Sequence, residues 1–454
     1  MSDTLPPGPP LPGVVQTLAW GLRPQSFFER CRRRYGATFT MCFYDGSDIV
    51  VLSRPEDIRA LFALTADQFE TGQDNAEMLE PFLGRRSLLA LDGDAHRDER
   101  RRLQHAFRSE RLDAYRQIVV DATLAEMAAW RAGSQVRLHD TTRTIALEVI
   151  LRAVFGAEEG RELQGLRDAL CPFLEDSTGS LLILIPQFRR DLGGRSPWSR
   201  FVRQRAAVHR EVLTLVARRR AHDDVSERTD MLSALLEGTD DDSLVLDELM
   251  TLLLAGHDTT ATGLAWAFDL LLHHRAVLTR LRSELASGNN DYIDAVIHES
   301  LRLRPVVGEV GRKPLAPFTC SVGELPAGTP LVASIYLAHT DPERYPEPFA
   351  FRPERFLDGG PVDLATWLPF GGGVRRCLGA AFATLEMREV VRTVVSNSDL
   401  RAASPEMDKP KRRAVTLMPR QGAPAVVVSV DDYAADVSSR RPTGRALRSP
   451  TTPG

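Results

Sequence analysis

The sequence has few cysteines, and they form no pattern that would join them. Five occur among 454 residues, they are widely separated and odd in number, and they lie at Cys31, Cys42, Cys171, Cys320 and Cys377. No arrangement typical of a zinc site occurs among them, and a disulfide framework of the kind found in small secreted domains is not indicated. We therefore expect a protein of a reducing compartment.

Long hydrophobic runs and a strong charge excess are also missing. No uninterrupted apolar stretch approaches the ~20 residues that a membrane helix needs, and residues 1–10 lack the basic flank and apolar segment of a signal peptide. The net charge of −4 gives no bulk attraction to nucleic acid, and no motif for binding it is visible. We expect a soluble, cytoplasmic protein with no nucleic-acid partner and no stable membrane anchor.

The composition is that of a globular protein with a sizeable core. Apolar residues make up 43% and charged residues 26%, which are ordinary values. Long amphipathic segments alternate with short strand-like runs such as residues 49–52, 330–334 and 425–428, and helical patterns dominate. Residues 433–454 are rich in Ser, Arg and Pro and predict a disordered tail after a domain of residues 1–432.

One cysteine lies in an unusual context. Cys377 follows the glycine-rich segment 370–376 and precedes a helical pattern. Glycines let a chain pass close to a flat ligand, while a helix N-terminus, Arg375 and Arg376 favour a deprotonated sulfur. This pattern is typical of a thiolate held toward a metal, with Arg375 available to a carboxylate of the ligand. The alternative is a glycine turn before a helix with a buried, inert cysteine.

A second unusual segment interrupts a long predicted helix, residues 243–274. Small and polar residues, Ala255-Gly256-His257-Asp258-Thr259-Thr260, stand where a buried helix would carry large aliphatic side chains. Polar groups buried in this way need partners. The segment indicates either a functional groove or a kink in which threonine hydroxyls bond to helix carbonyls.

The spacing Phe-x-x-Gly-x-Arg-x-Cys-x-Gly over residues 370–379 resembles the haem-ligand signature of the cytochrome P450 family. The resemblance extends over about residues 5–430 and is to the soluble bacterial, actinobacterial-like type. It implies a mainly α, triangular helical prism with a small β-rich lobe near the N-terminus. Haem b would lie between the long central helix and the proximal cysteine loop, with Cys377 as the metal ligand. The loop residues assigned to cofactor binding are Phe370, Gly371, Arg375 and Gly379.

The resemblance also assigns roles to the central helix. Ala255 and Gly256 would lie beside the haem in an oxygen-binding groove, where a local distortion of the helix makes room for dioxygen. Thr259 and Asp258 would be catalytic, because they organise proton delivery from solvent to the distal oxygen.

Two further charged motifs match the family. Glu299 and Arg302 share a helix face, and although most such pairs are weak surface bridges, the family buries them with an arginine matched by Arg355. That triad would be structural. His96 and Arg100 stand four apart on a predicted helix, and the resemblance assigns them, with Arg312 and Arg375, to the haem propionates. A mixed-charge surface helix is the alternative.

Family experience places substrate contacts in several separate segments, and here these are apolar. The candidates are Phe82, Leu88, Leu252, Val306, Val307 and Thr416, with Phe69, Phe173, Val415 and the run 181–184 as further members. An apolar pocket fits a lipophilic substrate such as a terpenoid, fatty acid or steroid-like molecule. Glu309 either orients a polar group or faces outward, and residues 181–186 form either an entrance lip or core.

The implied function is a haem-thiolate monooxygenase that uses dioxygen and two electrons to hydroxylate or epoxidise its substrate. The electrons would come from a separate ferredoxin or flavodoxin with an NAD(P)H-dependent reductase. Arginines at positions 97, 100–102, 375 and 376 indicate a basic docking patch for that partner or a solvated charged face. The alternatives are a haem-thiolate peroxygenase, isomerase or dehydratase, and a non-catalytic haem sensor or hydrophobic-ligand carrier.

Overall fold

The computed structural model describes residues 5–107, 109–157, 160–178, 189–191, 193–222, 228–357, 363 and 365–431. The predicted tail and the run 181–186 lie outside these residues. Helices dominate the described part, as the sequence predicts. They are α1 Gly13–Leu22, α2 Pro24–Tyr35, α3 Pro55–Ala63, α4 Gly72–Leu83, α5 Gly93–Gln104, α6 Ser109–Met127, α7 Leu138–Ala153, α8 Arg161–Thr178, α9 Pro197–Arg220, α10 Met231–Glu237, α11 Asp242–His273, α12 Arg275–Ala286, α13 Asp291–Leu303, α14 Ile335–His339 and α15 Ala380–Asn397.

Helix α11 is the long central helix, and it is buried along most of its 32 residues. The carboxylate of Asp241 caps its start by accepting hydrogen bonds from the backbone N–H groups of Ser243 and Leu244, which satisfies two of the free donors at a helix N-terminus. The helix packs against α7, α13 and α15. The predicted bounds, 243–274, are therefore correct to one residue.

The strands form small sheets at the side of the helical body. They are β1 Thr38–Cys42, β2 Asp48–Leu52, β3 Phe69–Glu70, β4 Gln135–Arg137, β5 Glu309–Pro314, β6 Phe318–Cys320, β7 Gly323–Leu325, β8 Leu331–Ser334, β9 Ser398–Ala402, β10 Pro410–Arg413, β11 Thr416–Pro419 and β12 Pro424–Val430. The largest sheet has the order β1-β2-β8-β5-β3. Its β2–β8 pair is parallel and the other pairs are antiparallel. The β-rich lobe thus combines N-terminal strands with strands from the second half of the chain.

The β10–β11 hairpin is fixed against the central helix. The backbone N–H of Leu417 donates to the carbonyl of Val306 at 2.7 Å, and Val307 forms an isolated antiparallel bridge with Thr416. The indole N–H of Trp266, on α11, donates to the carbonyl of Leu417 at 2.7 Å. Val306, Val307 and Thr416, which the sequence analysis assigns to the substrate pocket, are therefore neighbours beside α11.

Among the described residues, no helix combines the length and the apolar character needed to cross a bilayer.

Candidate active site

The cysteine loop is held by its own backbone and by two glycines in the left-handed region. Gly371 has φ of 65° and Gly373 has φ of 64°, which only glycine adopts without strain. A Cβ on Gly373 would also lie 2.3 Å from the carbonyl oxygen of Phe62. The backbone N–H of Cys377 donates to the carbonyl of Phe370 at 2.9 Å, so the loop closes just before α15 begins.

The side chain of Cys377 has accessible surface although protein atoms surround it densely enough for burial to raise the pKa of its thiol. Both observations hold for a side chain that faces an internal space rather than the outer surface. The backbone N–H of Gly379 and the charges of Arg100 and Arg376 act in the opposite direction on this pKa. They are the helix N-terminus and cations that the sequence analysis expects beside a thiolate.

One face of α11 is also accessible in the middle of the protein. Between Thr251 and Leu272, the residues that are not buried are Leu252, Leu254, Ala255, Gly256 and Thr259. All except Leu254 follow the i, i+3, i+4, i+7 spacing of a single helix face. The helix continues as α-helix through this stretch, and the local distortion beside Ala255 and Gly256 stays a prediction.

Asp258 is buried beside arginines of two other elements. Its Oδ1 lies 3.5 Å from Nε of Arg143, on α7, and 3.6 Å from Nη1 of Arg413, on β10. That oxygen accepts no hydrogen bond from the described residues. Two histidines, His139 and His257, lie close by. Burial lowers the pKa of each to about 4. Sequence reasoning missed both arginines, because they are more than 100 residues from Asp258.

The four residues assigned to the propionates come together. Burial, Arg375 and Arg100 lower the pKa of His96 to about 4, and burial followed by Arg375 lowers the pKa of Arg312 to about 10. The Arg312 guanidinium lies 4.9 Å from the centre of the Phe69 ring and donates to the carbonyl of Gly372 at 3.2 Å. Phe69 therefore contacts this group of cations. The alternative of a mixed-charge surface helix is wrong for His96, which is buried.

The carboxylate among these cations is Asp92, which the sequence analysis did not select. Its Oδ1 accepts hydrogen bonds from Nη2 of Arg375 at 2.5 Å and from the backbone N–H groups of Thr71 and Gly72. Among the described residues, neither Arg100 nor Arg312 forms an ion pair with a carboxylate at contact distance, although the charge of Asp92 acts on Arg312. Partly buried cations in excess of the acids need an anionic partner. The carboxylates of a haem have the charge that this site needs.

The predicted structural triad is formed as expected. Glu299 and Arg302 are both fully buried and joined by two hydrogen bonds, Nε to Oε2 at 2.6 Å and Nη2 to Oε1 at 2.8 Å. Arg355 approaches Glu299 Oε1 at 3.4 Å, and the backbone N–H of Arg352 donates to the same oxygen at 2.9 Å. The surface-bridge alternative is therefore wrong for this pair.

The substrate candidates fall into distinct environments. Leu252 and Val307 keep accessible surface, whereas Leu88, Val306 and Thr416 are buried. Phe82 is also buried, and its ring packs 4.6 Å from that of Phe201.

Glu309 is engaged within the protein. It accepts from Arg412 at 3.0 Å and from the Trp20 indole at 3.1 Å. The expectation that Glu309 faces outward is wrong, because its carboxylate anchors the β10–β11 hairpin. Its role toward a polar group of a substrate stays a prediction.

The predicted basic patch is largely compensated. Arg97 pairs with Asp94, Arg101 with Asp98 and Arg102 with Glu99, each one helical turn apart on α5. The Nε atom of Arg376 is buried without a hydrogen-bond partner among the described residues. The excess positive charge is thus concentrated beside Cys377 rather than spread over α5.

Comparisons with known proteins agree with this geometry. The sequence model of the cytochrome P450 family matches residues 6–424. A Mycobacterium tuberculosis protein provisionally named cytochrome P450 135B1 is 37% identical over 95% of this chain and 93% of its own length. Another protein from that organism, provisionally named cytochrome P450 138, is 36% identical over 93% of this chain and 96% of its own length.

Solved structures show the same fold. Retinoic acid-bound cyanobacterial CYP120A1 superimposes with a TM-score of 0.79 at 24% identity, covering 94% of this chain and 99% of that one. CYP175A1 from Thermus thermophilus gives a TM-score of 0.72 at 26% identity, covering 90% of this chain and 95% of that one.

Proposed function

Because the chain belongs to the cytochrome P450 family, whose cofactor is haem b and whose members are in general haem-thiolate monooxygenases, we propose that it hydroxylates or epoxidises a lipophilic small molecule. The observation that carries the proposal is the internal accessibility of Cys377 on its glycine loop. The accessible face of α11 and the surplus of cations around His96 support it. These features together fit a flat, anionic cofactor bound by a thiolate.

Cys377 is proposed as the residue whose thiolate would hold the haem iron. The N–H of Gly379 and the charges of Arg100 and Arg376 favour its thiolate form, and a bound metal ion would complete the deprotonation. When bound, a thiolate-ligated haem supplies dioxygen activation by cleavage of the O–O bond. Phe370, Gly371 and Gly379 shape the loop around the sulfur, and Ala255 and Gly256 leave room on the face of α11.

His96, Arg100, Arg312 and Arg375 are proposed to hold the two propionates. Guanidinium groups bind carboxylates with paired, directional hydrogen bonds. Arg375 is already oriented by Asp92, whereas Arg100 and Arg312 form no ion pair with a described carboxylate and can accept a carboxylate of the ligand. His96 would act as a neutral donor, because burial and the neighbouring arginines lower its pKa to about 4.

Thr259 and Asp258 are proposed to deliver protons. The Thr259 hydroxyl donates to the Ala255 carbonyl at 2.6 Å, which leaves its oxygen able to accept another hydrogen bond. Asp258 lies on the other side of the helix between Arg143 and Arg413. Its carboxylate can take a proton on that side and pass it to the Thr259 side by water or by a change of rotamer.

The substrate is proposed to contact Leu252, Val307 and the segment around Thr416. Of these, Leu252 and Val307 have accessible surface, and the described lining carries no free charge, since Glu309 is paired with Arg412. An apolar lining of this kind gains affinity mainly from burying apolar ligand surface. A lipophilic substrate is therefore proposed over a charged one.

The electrons are proposed to come from a ferredoxin or flavodoxin with a separate NAD(P)H-dependent reductase. Arg97 and Arg101 are about half and two thirds exposed, although each has a carboxylate partner on its own helix. Attraction of an acidic partner by such paired charges is modest and weakens with salt.

The test is turnover of a panel of lipophilic compounds under ¹⁸O₂ with a ferredoxin, its reductase and NADPH. The proposal predicts products that carry one ¹⁸O atom. Product formation with hydrogen peroxide alone, and none with the electron donors, would establish a peroxygenase instead. Spectral changes on ligand binding without any product under either condition would establish a sensor or carrier.

A further inference from the structure

The buried pair Glu299–Arg302 and the loop of Cys377 belong to separate segments, and one side chain connects them directly. His339, the last residue of α14, has no accessible surface. Its Nδ1 lies 3.0 Å from the carbonyl oxygen of Arg302, and its Nε2 lies 2.8 Å from the backbone nitrogen of Leu368. Both ring nitrogens therefore have a partner, one on each segment.

These two partners determine the tautomer of His339. A carbonyl oxygen only accepts and a backbone N–H only donates, so the ring proton must be on Nδ1 and Nε2 must accept. Burial lowers the pKa of His339 to about 3, so the ring is neutral at physiological pH. A proton on Nε2 would face the N–H of Leu368 and break that hydrogen bond.

On the helix side, His339 is held by the backbone as well as by the ring. Nη1 of Arg302 donates to the His339 carbonyl at 2.7 Å and to the Pro348 carbonyl at 2.8 Å. The same guanidinium is held by Glu299. The backbone of His339 is therefore held by the guanidinium of the buried pair, and its ring by the backbone carbonyl of the same arginine.

On the loop side, Leu368 is the start of the segment that leads to the cysteine. Its N–H is held by His339, and its carbonyl accepts from the N–H of Gly371 at 3.0 Å. Further along the loop, the backbone N–H of Cys377 donates to the carbonyl of Phe370. A second anchor joins the same region to α13, since the indole N–H of Trp367 donates to the carbonyl of His298 at 3.1 Å.

We propose that His339 is a positioning residue, whose Nε2 accepts the Leu368 N–H and thereby fixes the Cys377 loop to the Glu299–Arg302 pair. The link to the sulfur rests on the proposed role of Cys377 as the axial ligand. The hydrogen bond itself does not, and it can be measured separately.

Substitution of His339 by asparagine or by glutamine tests its two hydrogen bonds separately. An amide nitrogen of Asn at position 339 reaches the position of Nδ1 and can donate to Arg302, but it leaves Leu368 without an acceptor. The amide of Gln reaches the position of Nε2 and can accept from Leu368. We expect His339→Asn to speed amide exchange at Leu368, Phe370 and Gly371 about ten-fold, while Glu299 and Arg302 keep their pairing.

The spectroscopic result should follow the same order. In the reduced protein under carbon monoxide, His339→Asn should lose part of the red-shifted Soret band of a thiolate-ligated haem. His339→Gln should lie closer to wild type in both measurements. His209→Asn, on α9, is the control and should change neither.

Equal effects of Asn and Gln on the loop, in proportion to their effect on thermal stability, would overturn the proposal and make His339 a packing residue. If both variants fail to fold, ¹⁵N shifts of histidine in the diamagnetic, CO-bound wild type decide, because the proposal requires the Nδ1–H tautomer. An Nε2–H tautomer would contradict it. A wild type without the red-shifted band but with a protected Leu368 amide would refute the role of Cys377 and leave the hydrogen bond intact.

Discussion

The hydroxyl of Thr259 donates a 2.6 Å hydrogen bond to the carbonyl of Ala255, one turn earlier on the central helix. Both residues lie on the accessible face of a helix that is buried along most of its length. The bond fixes the rotamer of Thr259 and directs its oxygen along the accessible face. Removal of this hydroxyl therefore tests proton delivery without touching the cysteine loop.

Thr259→Ala should bind haem like wild type but divert electrons to hydrogen peroxide. We expect product per NADPH to fall severalfold, since a positioned proton donor contributes substantially to rate. Peroxide and product are measured together in the same reaction. Thr259→Ser keeps the hydroxyl and should recover most of the yield, and Thr260→Ala, at the next position, serves as control. Full yield from Thr259→Ala would show that this hydroxyl takes no part.

Asp258→Asn should slow turnover about 10- to 100-fold, because the amide cannot carry a proton between Arg143 and the accessible face. Haem content and substrate affinity should not change. The kinetic solvent isotope effect on product formation is the measurement, and it should rise in the variant as proton delivery becomes rate-limiting. An unchanged rate and isotope effect would place the proton route elsewhere.

Glu299→Gln should destabilise the protein by about 3–5 kcal/mol, because it leaves the fully buried Arg302 guanidinium without its anionic partner. Urea unfolding followed by circular dichroism measures the loss. Glu406→Gln removes the acid of an exposed pair with Lys409 and should have almost no effect. A loss for Glu299→Gln as small as that of the control would contradict a structural role.

The contribution of His139 to stability should fall as the pH drops below about 6.5. Burial lowers the pKa of His139 from 6.5 to about 4, so between these values the unfolded chain binds a proton that the folded protein excludes. Each such histidine lowers the free energy of unfolding by up to about 1.4 kcal/mol per pH unit in this window.

His139→Gln should reduce that slope. Urea unfolding at pH 7.5, 6.0 and 5.0 measures it in both proteins. Equal slopes in wild type and variant would show that folding does not change the pKa of His139.

The sequence was sufficient to predict what depends on local pattern. The bounds of the central helix followed from its apolar run and terminal charges, and the Glu299–Arg302 pair from its spacing on one helix face. The family resemblance added long-range groupings, such as His96 with Arg312, which no local pattern contains.

The remaining contacts depend on tertiary structure. Arg143 and Arg413 meet Asp258 only because α7 and the β10–β11 hairpin both pack beside α11. His339 bonds to backbone groups, and Asp92 bonds to two backbone N–H groups as well as to Arg375. Backbone groups occur in every sequence and give no signal of such a contact. The pairing of Glu309 with Arg412 likewise needs the β10–β11 hairpin to be in place.

The absorption spectrum of the reduced protein under carbon monoxide, compared with that of Cys377→Ser, tests the central claim most directly. The account predicts a strongly red-shifted Soret band in the wild type that is lost in the variant, since serine cannot supply the thiolate. A band at the ordinary position of histidine-ligated haem in the wild type, or one that Cys377→Ser leaves unchanged, would contradict it.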